Sequence, residues 1–161
     1  MELTIRPMTA AGARVMASWQ YPAPYAIYTL PSPPTEEEMA YYLDPAMAYH
    51  EMLDETGVLV GFCSFGKDGQ VPGGDYSDDA LDIGMGVRPD LTGQGLGQHF
   101  ASVVVEFACS HYAPSSLRVT IAAFNTRAQR LWQRLGFQPT SYFCRPNNEL
   151  PFIIFVRAVA P

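Results

Sequence analysis

Apolar residues recur along this chain at two different periods, and one stretch shows both. Leu81, Ile83, Met85 and Val87 alternate with Ala80, Asp82, Gly84 and Gly86, the period of two expected of a strand. Pro89 and Asp90 end it. Further on, Phe100, Val103, Val104, Phe107 and Ala108 fall at i, i+3, i+4, i+7 and i+8, one face of a helix. Between them stand Gly93, Gly95 and Gly97, which lack a Cβ and let the backbone turn sharply. The pattern predicts strand, glycine turn, helix. The first N–H groups of such a helix have no acceptor within it and form an anion site, so a phosphate-bearing ligand is expected there.

The rest of the chain reads in order. Glu2–Arg6 is a first strand, and Thr9 caps a short helix carrying Val15, Met16 and Trp19. Trp19–Tyr28 is aromatic and broken by proline; Trp19, Tyr21, Tyr25 and Tyr28 are candidates to wall a substrate pocket, or else fill the core under a loop. Thr35-Glu-Glu-Glu38 is a capping box, and its helix stops at Asp44-Pro45. Ala48–Leu53 and Val58–Phe65 are strands joined by a hairpin turn. Gly66–Asp79 has no apolar pattern and reads as a mobile surface loop. Leu117–Ala123 is a strand. Asn125 caps a helix with an apolar stripe of Ala128, Leu131, Trp132 and Leu135, closed by Gly136. Phe137–Cys144 and Leu150–Val159 form a last hairpin. The order is β-α-α-β-β-β-α-β-α-β-β: one α/β or α+β domain over residues 1–161.

Composition narrows the function. With 48% hydrophobic residues the chain is globular, and no apolar run reaches the ~20 residues of a membrane span. Cys63, Cys109 and Cys144 form no Cys-x-x-Cys pair, so neither a disulfide framework nor a metal site is expected. Met1-Glu-Leu-Thr-Ile-Arg is no signal peptide, and a cytoplasmic protein is the simple expectation. Net charge is −6, which argues against nucleic acid as a partner. Residues 1–82 hold 13 acids against Arg6, Arg14 and Lys67, whereas residues 83–161 hold three acids against seven arginines. A cationic acceptor suits that skew, although halves of a sequence are not halves of a surface.

The turn lacks the dinucleotide G-x-G-x-x-G and any G-x-x-x-x-G-K-[ST]. Val87-Arg88-Pro89 followed by Gln94-Gly95-Leu96-Gly97 resembles the pyrophosphate loop of the GNAT superfamily of acyl-CoA-dependent N-acyltransferases. Thr92 stands where that loop usually has Arg or Gln. An independent segment, Asn125-Thr-Arg-Ala-Gln-Arg-Leu-Trp-Gln-Arg-Leu-Gly-Phe137, resembles the same family's Asn-x-x-Ala-x-x-Leu-Tyr-x-x-x-Gly-Phe.

The resemblance implies a mixed, twisted sheet with helices on both faces and two central strands that splay for the cosubstrate. It implies an N-acetyltransferase that moves an acetyl group from acetyl-CoA, used as cosubstrate without a metal, to a primary amine of a small molecule or protein. A non-catalytic acyl-CoA-binding module of the same fold is the alternative, and a homodimer is left open. Met85, Gly86 and Val87 would line the pantetheine arm, with Gly84 and Gly86 letting it approach. Gln94, Gly95, Leu96 and Gly97 would hold the pyrophosphate, and Asn125 would contact the cosubstrate or serve only as a cap. Asp82, on the central strand, is the candidate base, with His50 and Glu51 in reserve; its other reading is that it points to solvent or pairs with an arginine. Trp132 takes the place of the family's acidic Tyr, and an indole N–H cannot act as that acid. Tyr142 or Tyr112 is a candidate substitute. An acid is also dispensable, because a thiol of pKa about 8.5 leaves as thiolate at small cost.

Overall fold

The computed structural model describes residues 1–160. Its contacts fall into two compact units, each made of two separated segments.

The first unit comprises Met1–Ser64 and Met85–Phe100. Strands β1 (Thr4–Pro7), β2 (His50–Leu53) and β3 (Leu59–Phe65) pair antiparallel in sequence order. Helix α1 (Ala10–Ser18) begins where Thr9 accepts a hydrogen bond from the Gly12 amide. Helix α2 (Glu36–Leu43) starts with the expected reciprocal box, Thr35 Oγ1 accepting from Glu38 N and Glu38 Oε1 from Thr35 N. It ends before Pro45, whose ring disfavours helical backbone at Asp44. Met8, Ala13, Met16, Trp19, Tyr42, Leu53 and Leu59 form the core, with Tyr21, Tyr49 and Phe62 packed against it. Trp19 is thus a core residue rather than a pocket wall: it ends α1 on its apolar side and lies against Phe62.

The second unit comprises Phe65–Gly84 and the residues from Ala101 onward. Strand β4 (Leu81–Val87) enters from this unit and finishes in the first. Helix α3 (Gly97–Tyr112) starts in the first unit and continues here. Strand β5 (Ser116–Ala122) lies parallel to β4, but that ladder holds only Leu81↔Leu117 and Asp82↔Arg118. On its other side β5 pairs with all of Ser116–Ala122 engaged, antiparallel to β7 (Pro151–Ala158). Strand β6 (Gln138–Cys144) closes the hairpin on β7. Phe152–Phe155 are buried in succession, as befits a strand paired on both sides and covered on both faces. Helix α4 (Thr126–Arg134) is capped by Asn125 Oδ1 on the Ala128 amide and is followed by Gly136 at φ +92°.

The strand order is β1-β2-β3-β4-β5-β7-β6, a seven-stranded mixed sheet with four helices. Element order matches the sequence reading throughout. Residues 66–79 do not. A short 3-10 turn at Lys67–Gly69 opens the segment, and polar side chains pin the rest down.

Candidate active site

The end of β4 runs into a tight connection. Arg88 N donates to Val60 O, and the Arg88 guanidinium clasps Asp90 (Nε to Oδ1, 2.6 Å). Gln94 Nε2 donates to Asp90 O at 2.6 Å, which draws the turn closed. Gly93 and Gly95 hold φ of +73° and +77°, a region that side chains disfavour. A Cβ on Gly95 would meet nothing within 4 Å, so the space over its backbone is open. The first helical bond of α3 is Phe100 N to Leu96 O. By helix geometry the amides before Phe100 therefore point out of the helix start without an acceptor inside it. Open space thus lies above outward amides at the positive end of a 16-residue helix, an arrangement that favours anions in general.

Gly86 has a different role from the one expected. A Cβ there would overlap the Phe62 ring, so the space its missing side chain leaves is filled by protein, not kept for a ligand arm. Met85 and Val87 project to the opposite face by strand alternation.

Of the four aromatic candidates, Tyr25 is half-buried and Tyr28 is 37% exposed, both in a 3-10 turn at Tyr25–Tyr28. Tyr21 is half-buried. Its amide donates to Thr29 Oγ1 (2.9 Å) and its hydroxyl to Val87 O (2.8 Å). Burial pushes its phenol up to about 12.

A second polar cluster in this unit surrounds Glu51, which is buried. Its carboxylate accepts from Arg6 Nε (2.7 Å), Thr9 N (3.0 Å) and Thr9 Oγ1 at the start of α1. Burial pushes the carboxyl up, but the Thr9 and Arg6 hydrogen bonds outweigh it and hold it below the usual range. Gly12 makes the room, since any Cβ there would overlap Glu51. His50 Nδ1 lies 2.7 Å from Ala48 O.

In the second unit, Asp82 is 2% exposed. Arg118 Nε donates to its Oδ1 (2.7 Å) and Arg118 Nη2 to Oδ2 (2.8 Å), with Gln70 Nε2 adding a bond to Oδ2 (3.0 Å). Arg118 Nη1 reaches Asp78 O, and its guanidinium lies over the Tyr76 ring. Tyr76 Oη lies 2.9 Å from Thr120 Oγ1 and accepts from Val71 N. Residues 66–79 are thus held by Gln70, Tyr76 and the Asp78 carbonyl, and Asp82 is a structural anion. Both of its carboxylate oxygens are taken up by this pairing. A role as general base would require Asp82 to leave that pair. Arg118, Gln70 and Tyr76 were not foreseen. The available signal was a lone cation in the apolar strand Ser116–Ala122, one strand away from a lone anion.

Trp132 is 5% exposed, its ring edge-on to Phe137 at 5.1 Å, so it packs the α4 core rather than presenting a group for proton transfer. Tyr142 stands on β6, at the end of the strand order, 73% exposed. Asn125 uses Oδ1 for its cap.

The model of the acetyltransferase (GNAT) domain matches residues 2–138. The chain belongs to the GNAT acetyltransferase family. A Bacillus subtilis (strain 168) protein with the provisional name ribosomal protein bS18-alanine N-acetyltransferase is 26% identical over 97 residues, which is 60% of this chain and 58% of that relative. Among solved structures, a spermidine N-acetyltransferase chimera from Vibrio cholerae and hSSAT superposes with a TM-score of 0.75 at 15% identity, over 98% of this chain and 96% of the other. AAC(6')-Ib in complex with paromomycin and acetyl-CoA gives 0.76 at 17%, over 98% and 94%. A GNAT-family acetyltransferase from Bacillus anthracis gives 0.73 at 16%, over 98% and 95%. At these identities the structures establish a shared fold.

Proposed function

We propose that this GNAT chain transfers the acetyl group of acetyl-CoA to a primary amine. The observation that carries the reading is the β4 end, the positive-φ turn at Gly93 and Gly95, and the outward amides that begin α3. The pyrophosphate lies on the backbone from Gln94 to Gly97, and the pantetheine arm runs along β4 at Met85 and Val87. The amine nitrogen attacks the thioester carbon, the C–S bond breaks, and CoA leaves as thiolate. A cationic amine gives up one proton to solvent before attack and a second from the tetrahedral intermediate, and the departing thiolate takes up a proton from solvent. With Asp82 tied to Arg118 and Trp132 packed in the core, rate enhancement comes chiefly from holding amine and thioester together, a term large enough to carry the reaction.

The acceptor is a cationic amine. The first unit, which holds the aromatic segment, has nine acids against Arg6, Arg14 and Arg88, while the second has seven of each sign. The net charge of −6 therefore belongs to the first unit. The names of the relatives, which include spermidine and aminoglycoside acetyltransferases, support the same class. Three free cysteines, one of them exposed, suit the reducing cytoplasm.

The second reading is an acyl-CoA-binding module without turnover. The packed Trp132 and the engaged Asp82 favour it. Thiol release from acetyl-CoA across a panel of polyamines, aminoglycosides and peptide N-termini decides between the two. Amine-dependent thiol release, with acetylated product by mass, supports transfer. Acetyl-CoA binding with no release for any amine supports the module.

A further inference from the structure

The aromatic segment 21–29 is tied to the end of β4, the strand that would carry the thioester. Tyr21 sits between the core residue Trp19 and the exposed turn at Tyr25–Tyr28. Its amide donates to Thr29 Oγ1, so the segment 21–29 closes on itself. Its hydroxyl then spans to the last carbonyl of β4, Val87 O, at 2.8 Å. One residue earlier, Gly86 is filled by the Phe62 ring, which stacks on Tyr49 and leans on Trp19. One residue later, Arg88 N is bonded to Val60 O. Residues 86, 87 and 88 are thus each held by a different neighbour. Only the bond to Val87 comes from the aromatic segment.

Resting on the transfer reading above, we propose that Tyr21 is a positioning residue. Its hydroxyl locks the segment 21–29 to the end of β4 and so sets where the acceptor amine meets the thioester. Burial keeps the phenol protonated at every working pH, so the donor is permanent. A displacement of ~1 Å between reacting groups is enough to cost about 10²-fold in rate, which is the lever such a tie controls. A second consequence concerns water. A segment no longer held at β4 exposes the thioester to hydrolysis, so acetyl-CoA is spent without product.

Tyr21→Phe keeps the ring and removes only the hydroxyl. With fold checked by circular dichroism, a fall in melting temperature of roughly 3 °C is expected for one lost hydrogen bond. Acetyl-CoA affinity should stay within about twofold, because the turn at Gly93–Gly97 is untouched. Amine KM should rise about tenfold, kcat should fall, and thiol released per amine acetylated should climb above one. Amide exchange should quicken together at residues 21–29 and at the end of β4. A Tyr21→Phe protein with wild-type amine KM and one thiol per product overturns the proposal, leaving only a structural bond. Loss of acetyl-CoA affinity as large as the loss for the amine overturns it too. Wild-type protein that binds acetyl-CoA but acetylates no amine removes the transfer reading, and the positioning role with it. Wild-type turnover beside an unchanged Tyr21→Phe removes the positioning role alone.

Discussion

Asp82 and Arg118 face each other as the last pair of the parallel ladder between β4 and β5, and the guanidinium takes both carboxylate oxygens. Neither side chain is more than 4% exposed. Breaking such a pair leaves one charge buried alone, which costs about 3–5 kcal/mol. Asp82→Asn should therefore lower stability by about that amount. The acidic limb of the kcat/KM pH profile should remain where it is in the wild type. Thermal unfolding and pH-rate profiles check both. A folded, stable Asp82→Asn protein whose acidic limb has gone would restore Asp82 as the base.

Acetyl-CoA should raise the melting temperature, while ATP and NADH do so much less. Gly95→Val should abolish that shift. Its Cβ meets no protein atom, but it occupies the open space above the turn and strains a backbone held at φ +77°. Titration calorimetry on the folded variant is the measurement. Retained acetyl-CoA affinity would move the pyrophosphate elsewhere.

Trp132→Phe should cost about 1–3 kcal/mol of stability, less than the full truncation of a buried aromatic, through lost packing on Phe137, with kcat within about threefold of wild type. Kinetics at saturating acetyl-CoA test this. A drop of about 10³-fold in kcat with fold and binding intact would show that the indole serves the chemistry.

Glu51 is held charged below its usual value by Thr9 and Arg6, so its contribution has a definite sign with pH. A folded-state value depressed below the unfolded 4.5 stabilises the protein fully above that pH. The stabilisation is lost as pH falls from there through the lower folded value. Glu51→Gln should cost about 2 kcal/mol at neutral pH, the scale of hydrogen bonds to a charged group. The gap between variant and wild type should close on acidification below about pH 4. Denaturant unfolding at several pH values reads it, and a gap independent of pH would sink this account.

Local chemistry was legible in the sequence because it is decided within a few residues. The caps at Thr9, Thr35 and Asn125 act on amides three residues away. The turn at Gly93–Gly97 follows from backbone sterics, and the apolar periods of β4 and α3 follow from their geometry. Those features were enough to place the chain in its family. What tertiary structure alone decided depends on partners far along the chain. Whether Asp82 faces solvent, substrate or Arg118 is set by the register of a strand 36 residues on. That Phe62 fills the place of the Gly86 side chain, and that Tyr21 reaches Val87 across 66 positions, are likewise matters of register and packing. The same holds for Trp19, whose aromatic neighbours in sequence suggest a pocket but whose place at the end of α1 puts it in the core. The last hairpin was readable as a hairpin. Its outer order was not, since β7 rather than β6 lies beside β5. Even the charge skew changed meaning, because β4 and α3 carry the chain from one unit to the other and gather the excess acids into the first. A period in the sequence states which face of an element is apolar; only the assembled sheet states what that face meets.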